Sequence, residues 1–204
     1  MDEAIPEGFG RRDPDVDQLV VMHGVDWRTY SALRALLDSP GIRMTYLEGA
    51  LEIMSPSRRH EHEKKTIARM IEVFAIERDV PLRGWGSTTF RREAKERGLE
   101  PDECYCVGRE LGDAPDIALE VVVTSGGINR LEVYRGLGVQ EVWIFREGRF
   151  HLYMLEGDRY RESERSELVS NLDFGVMAEL VATPDQHAAV KAFRDRLRGG
   201  GQTG

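Results

Sequence analysis

Three carboxylates fall in and around apolar, strand-forming sequence: Asp102 and Asp116, each following a proline, and Glu120 inside IALEVVV. An ionised carboxylate removed from water needs a counter-charge or several donors, so a lone glutamate in such a run calls for a partner from elsewhere in the chain. Paired carboxylates can hold a hard divalent cation, which gathers oxygens at about 2.1 Å and so needs ligating oxygens within about 3 to 4 Å of each other. Asp116 and Glu120 fall four residues apart on one predicted strand, which at about 3.3 Å per residue separates their Cα atoms by about 13 Å; they share a face but not an ion. Asp102 opens a different strand. If the two strands pair antiparallel around the 108–115 loop, Asp102 lies beside Glu120 with Cβ atoms about 5 Å apart. Asp102 is therefore the expected partner, while Asp116 is expected to fix the entry from loop to strand. The plainer alternative for Asp102 is a Pro-Asp turn.

The elements that must position these residues follow from periodicity. Asp26 can cap a helix carrying Tyr30, Leu33, Leu36 and Leu37, stopped by SPG at 39–41, and RMTYLEGALEIM reads as a hairpin turning at Glu48-Gly49. SPSRRHEHEKKTIARMIEVFAIER predicts a long helix with Ile67, Met70, Ile71 and Phe74 on its core stripe; run backwards, that stripe passes through His60 and Glu63 at the helix mouth. PLRGWGSTTFRR predicts a strand and EAKERGLE a loop or helical turn, before strands at about 102–107 and 116–123. TSGGINRLEVYRGLG gives a Ser/Gly break and a short helix closed by Gly138. Two hairpin strands turning at Glu147-Gly148, a third containing Tyr160 and two terminal helices complete the order. This is an α/β chain, an α+β mixed sheet flanked by helices. The expected division is an N-terminal arm at 1–25, one domain at 26–184, a C-terminal helix at 185–198 and a disordered tail at 199–204.

With 204 residues, 41% of them hydrophobic, the chain can bury one substantial core. It has no apolar run of membrane-spanning length and its start is acidic, so a cytoplasmic protein is expected, with no membrane partner. Cys104 and Cys106 are the only cysteines and are poorly spaced for a mutual disulfide. A zinc site would need further ligands nearby, so two strand residues are the simpler reading. A net charge of −8 argues against broad attraction to nucleic acid and confines any such contact to a local patch. Trp85, Trp143, Phe145 and Tyr153 sit beside aliphatic residues and are expected in the core rather than as base-stacking platforms.

The blocks TYLEGALEIMSPSRRHEHEKK, GSTTFRREAKERGLEPDECYCVG and PDIALEVVVTSGGINRLEVYRGLGVQEVWIF resemble, in order and spacing, the bacterial Uma-two family of the restriction-endonuclease-like PD-(D/E)XK superfamily. The resemblance runs from about Asp26 to Leu180. It implies a metal-binding aspartate at Asp102 and the acidic residue of the (D/E)XK element at Glu120, but Val122 stands where the signature lysine would be. A basic residue on the next helix, in a K/R-L-x-x-Y setting, takes that place and falls on Arg130; the family's SP…HE segment falls on Ser55, Pro56, His60 and Glu61.

What the resemblance implies is phosphodiester hydrolysis of nucleic acid, DNA in preference to RNA, by a Mg²⁺-dependent endonuclease acting as a homodimer. Asp102, Glu120 and the Val121 carbonyl would hold Mg²⁺ or Mn²⁺, and Arg130 would offset developing negative charge. His60 would orient a carboxylate, bind the ion or relay a proton; its plainer role is to charge and cap the first helical turn beside Glu61 and Glu63. Lys64 is expected to be a solvated helix cation, the alternatives being a pair with an acid or a contact with phosphate, and the Gly126-Gly127 break could seat a phosphate on backbone N–H groups. The rival expectation is a catalytically inactive nuclease fold serving as a DNA-associated or protein-binding module, supported by the broken XK element.

Overall fold

A computed structural model describes residues 13–39 and 41–199. Two sheets organise them. The first runs β1 (Gln18–His23), β3 (Ala50–Ser55), β2 (Arg43–Leu47), β6 (Arg97–Leu99), β5 (Phe90–Arg92) and is antiparallel throughout. The second runs β11 (Arg159–Ser163), β10 (Arg149–Glu156), β9 (Glu141–Arg146), β8 (Ile117–Val122), β7 (Glu103–Val107), β4 (Leu82–Gly84), with β8 and β9 its one parallel pair. The helices are α1 (Trp27–Leu36), α2 (Arg58–Glu77), α3 (Arg130–Leu137), α4 (Phe174–Val181) and α5 (Gln186–Gly199). A parallel pair cannot be closed by a tight turn, and α3 supplies the crossover. The chain thus has the mixed α/β architecture its element order predicts, in two sheets rather than one.

Alternation along β8 decides what the site can be. Ile117, Leu119 and Val121 enter a core built with Ile67, Met70, Ile71 and Phe74 of α2, Met177 of α4 and Phe193 of α5. Ala118 faces the other way, into a cluster with Val133, Tyr134 and Leu137 of α3 and with Phe90 and Leu99 of the first sheet. The same period-two rule turns Glu120 toward α3. A third cluster, Tyr30 of α1 with Met44, Tyr46 and Leu51, covers the first sheet.

Where expectation and structure differ, backbone chemistry explains it. PLRGWGSTTFRR is not one strand: Gly86 takes a positive φ of 58°, and the segment divides into β4 and β5, which join different sheets. EAKERGLE holds a 3-10 turn at Glu93–Lys95, ended by left-handed Glu96, and then β6. Within the stretch expected as an arm, Gln18–His23 forms β1 and pairs along all six residues with β3. Trp85 is partly exposed, whereas Trp143 and Phe145 are buried. The tail at 200–204 and the first twelve residues lie outside the described residues. Among those described, no helix is long and apolar enough to cross a membrane.

Candidate functional site

β7 and β8 pair antiparallel with Glu103 opposite Leu119, and continuing that register by one residue brings Asp102 alongside Glu120. Asp102 sits where the backbone of β7 begins, and its side chain prolongs the ladder: its N–H donates to Leu119 O at 3.1 Å, and its Oδ2 accepts the Val121 N–H at 2.7 Å. Both carboxylates are 1% exposed. Asp116 behaves as a loop anchor, its Oδ2 accepting the Val107 N–H at 2.8 Å and its Oδ1 the Arg109 guanidinium.

Buried charge is compensated in two linked sets. On the Asp102 side, His60 comes from the first turn of α2, where Ser57, not His60, is the N-cap and accepts the His60 N–H. The imidazole lies between two acids, Nε2 at 2.9 Å from Asp102 Oδ1 and Nδ1 at 3.2 Å from Asp17 Oδ2. Burial alone would push the His60 pKa down, but Asp102 and Asp17 raise it to about 9, so the ring is an imidazolium donating from both nitrogens at neutral pH. Burial likewise opposes the charge on Asp102, and His60, Arg43 and the Val121 N–H together hold its pKa well below the carboxylate range. Asp17 also accepts the Ser57 N–H at 2.7 Å, so the segment entering β1 is tied to the mouth of α2.

On the Glu120 side, Arg130 and Tyr134 lie one turn apart on α3 and reach the same carboxylate. Arg130 Nη1 donates to Glu120 Oε2 at 2.8 Å, Tyr134 donates its hydroxyl to Glu120 Oε1, and Arg130 Nη2 donates to Glu52 Oε1 at 2.9 Å. Burial pushes the Glu120 carboxyl up to about 7; Arg130 and Tyr134 pull against this, and the charge on Asp102 adds to it. The phosphate seat expected at Gly126-Gly127 is taken by the protein itself, because Glu52 Oε2 accepts the Ile128 N–H at 2.9 Å.

The donor set can be tested against a divalent ion. Among the described residues no group of three or more His, Cys, Asp or Glu side chains could hold a metal. That excludes an all-protein cage but not the mode typical of Mg²⁺, which uses one or two carboxylates and keeps several waters. Glu120 Oε1, Glu120 Oε2 and Asp102 Oδ2 each accept one donor and retain a second lone pair, and the pair is composed of hard oxygens whose charges repel. The residues present fit such an ion. Val121, whose carbonyl is the expected third oxygen, also gives its N–H to Asp102 Oδ2 at 2.7 Å. Cys104 is a buried thiol whose pKa burial raises to about 12, and among the described residues no further ligands gather with it into a metal-holding group of three.

The structure thus brings Asp102, Glu120, Arg130 and His60 together. Sequence reasoning did not find Asp17, Arg43, Glu52 and Tyr134. Tyr134 was accessible through its i, i+4 spacing from Arg130, and Glu52 through being a carboxylate in the middle of a hairpin strand. Lys64 is not a solvated cation: it is buried and paired with Glu61 Oε2 at 2.6 Å.

The mixed α/β fold, with its strand-paired acids and a guanidinium from the crossover helix, agrees with a restriction-endonuclease-like protein. Comparison with protein families matches residues 27–184 to Uma2, described as "Putative restriction endonuclease", and the chain belongs to that family. No curated protein matches it significantly.

Proposed function

We propose that the chain is a metal-dependent endonuclease that hydrolyses phosphodiester bonds of nucleic acid, DNA in preference to RNA, in the cytoplasm. The observation that carries this reading is the buried juxtaposition of Asp102 and Glu120 across the β7–β8 ladder, backed by Arg130. Asp102 and Glu120 would hold Mg²⁺ or Mn²⁺, with the Val121 carbonyl proposed as a third oxygen. Bound there, the ion would lower the pKa of a coordinated water and offset phosphoryl charge.

The chain's own groups do the rest. His60 spends both ring nitrogens on Asp17 and Asp102, so it fixes the aspartate's orientation rather than relaying a proton. Arg130 stays protonated, since Glu120, Glu52 and Asp102 overcome the effect of its burial; it aligns Glu120 and keeps N–H groups for a phosphoryl oxygen. Tyr134 locks the other Glu120 oxygen.

One observation favours a second reading, a non-catalytic module: Asp102, Glu120 and His60 are each no more than 1% exposed, and the donors around them already neutralise the acids. Incubating supercoiled plasmid, single-stranded DNA and RNA with the protein in Mg²⁺, Mn²⁺ or EDTA separates the two. Metal-dependent nicking that falls to background in Asp102→Asn and Glu120→Gln supports the enzyme; activity equal in wild type and variants, or absent on every substrate, supports the module. Cutting both strands of a duplex together would take two sites, and light scattering tests for the homodimer this implies.

A further inference from the structure

A polar cavity of about 400 Å³ opens beside Asp102, between the end of α1, β2 and the first turns of α2. Arg43 and Lys64 line it, and both side chains are only 7% exposed. Buried cations in a chain of net charge −8 require an anion, and the one they share is Glu61, with Oε1 at 3.5 Å from Arg43 Nη2 and Oε2 at 2.6 Å from Lys64 Nζ. Unlike its partners, the Glu61 side chain is 42% exposed.

The other charges of the cavity are spoken for. Glu100 is paired with Arg34 and accepts the Thr89 hydroxyl at 2.7 Å, while Asp38 is largely solvated. Arg43 is held on its far side by Pro101 O and Ser87 Oγ, each at 3.1 Å, and lies 3.5 Å from Asp102 Oδ1. Its Nε is buried with no hydrogen-bond partner among the described residues, an uncommon deficit for a guanidinium.

We infer that Arg43 and Lys64 form a phosphate-binding subsite, occupied by Glu61 as an internal stand-in that swings to solvent when a phosphate of the nucleic-acid backbone enters. A carboxylate and a phosphodiester present anionic oxygens at similar spacing, so the exchange replaces two ion pairs with two of the same kind. The solvated, single-turn position of Glu61 makes it the mobile member, because Arg43 and Lys64 are packed in place. A phosphate held there touches the guanidinium that also reaches Asp102, which sets the backbone next to the carboxylate pair. The assignment rests on the nuclease reading for its substrate but not for its binding chemistry.

The test is a fluorescence-anisotropy titration in EDTA of a labelled single-stranded oligonucleotide against wild type, Glu61→Gln and Lys64→Met, with inorganic phosphate as competitor. Removing the stand-in charge is expected to tighten oligonucleotide binding roughly tenfold, and removing Lys64 to weaken it by a similar factor. Competition by millimolar phosphate in Glu61→Gln, but not without the oligonucleotide-binding gain, identifies the backbone as the physiological source; phosphate binding with no gain for the oligonucleotide identifies free phosphate and overturns the backbone assignment. Unchanged or weaker binding by a folded Glu61→Gln overturns the subsite altogether. Should Lys64→Met fail to fold, Glu61→Gln decides alone. Because the readout is binding without metal, it stands or falls separately from plasmid cleavage.

Discussion

Tyr134 illustrates how one hydroxyl conditions the candidate site. Its O–H is the donor to Glu120 Oε1, and both groups are fully buried. Tyr134→Phe leaves the carboxylate with Arg130 alone, an unsatisfied acceptor worth about 1–3 kcal/mol. Urea unfolding should show that loss, whereas Arg130→Ala, which strands Glu120 and Glu52 together, should cost about 3–5 kcal/mol. Protonation gives a second check at this scale. His60 is raised from 6.5 to about 9 and Glu120 from 4.5 to about 7, so both bind protons more tightly folded than unfolded. Their stabilisation is complete at low pH: the Glu120 part is lost as pH rises through 7 and the His60 part as it rises through 9. Asp17 and Asp102 are lowered from 3.8, and their contribution is lost as pH falls below that value. The metal-free protein in chelator should therefore be most stable at mildly acidic pH and weaken steadily from pH 7 to 9.5. A stability maximum above pH 8 would contradict the imidazolium at His60.

At the scale of elements, the connection from β8 to α3 sets Arg130 in place. Gly126 and Gly127 both have φ above 100°, but a Cβ on Gly126 meets open space while one on Gly127 would strike the Glu52 carboxylate. Gly126→Ala should cost only the backbone strain, about 1–2 kcal/mol, and Gly127→Ala distinctly more, because it also displaces the Glu52 bond to Ile128. Denaturant midpoints of the two variants test this; equal losses would mean that Glu52 does not anchor the crossover. The same connection shows what the sequence makes legible. The break, the helix and its Gly138 cap are local signals, and Gly138 indeed takes φ 82°. Asp102 and Glu120 were paired by a geometric argument that needs only two strands and a loop. Asp17, Arg43 and Glu52 were not found because their partners lie 43, 58 or 78 residues away, where no spacing rule reaches. The split into two sheets hides for a related reason: Gly86 marks a break, but only the distant partners of β4 and β5 say that the halves part company.

Across the whole molecule, the site joins the two sheets, taking Asp17 from just before β1 and Glu52 from β3 of the first, Glu120 from β8 of the second, His60 from the first turn of α2 and Arg130 from α3. An ion bound at Asp102 and Glu120 would therefore stabilise the entire fold, since unfolding separates its ligands. At about tenfold above its Kd, Mn²⁺ or Mg²⁺ should add about 1.4 kcal/mol and raise the melting temperature by about 3–6 °C for a domain of this size. Asp102→Asn and Glu120→Gln each remove one ligand charge and should abolish the rise while leaving a cooperative transition. A rise of equal size in both variants would place the ion elsewhere on this acidic chain. No rise in wild type, at concentrations where plasmid nicking is sought, would leave the two acids as counter-charges for His60 and Arg130 and favour the non-catalytic module. The measurement needs no substrate, so it separates a protein that cannot hold the ion from one offered the wrong nucleic acid.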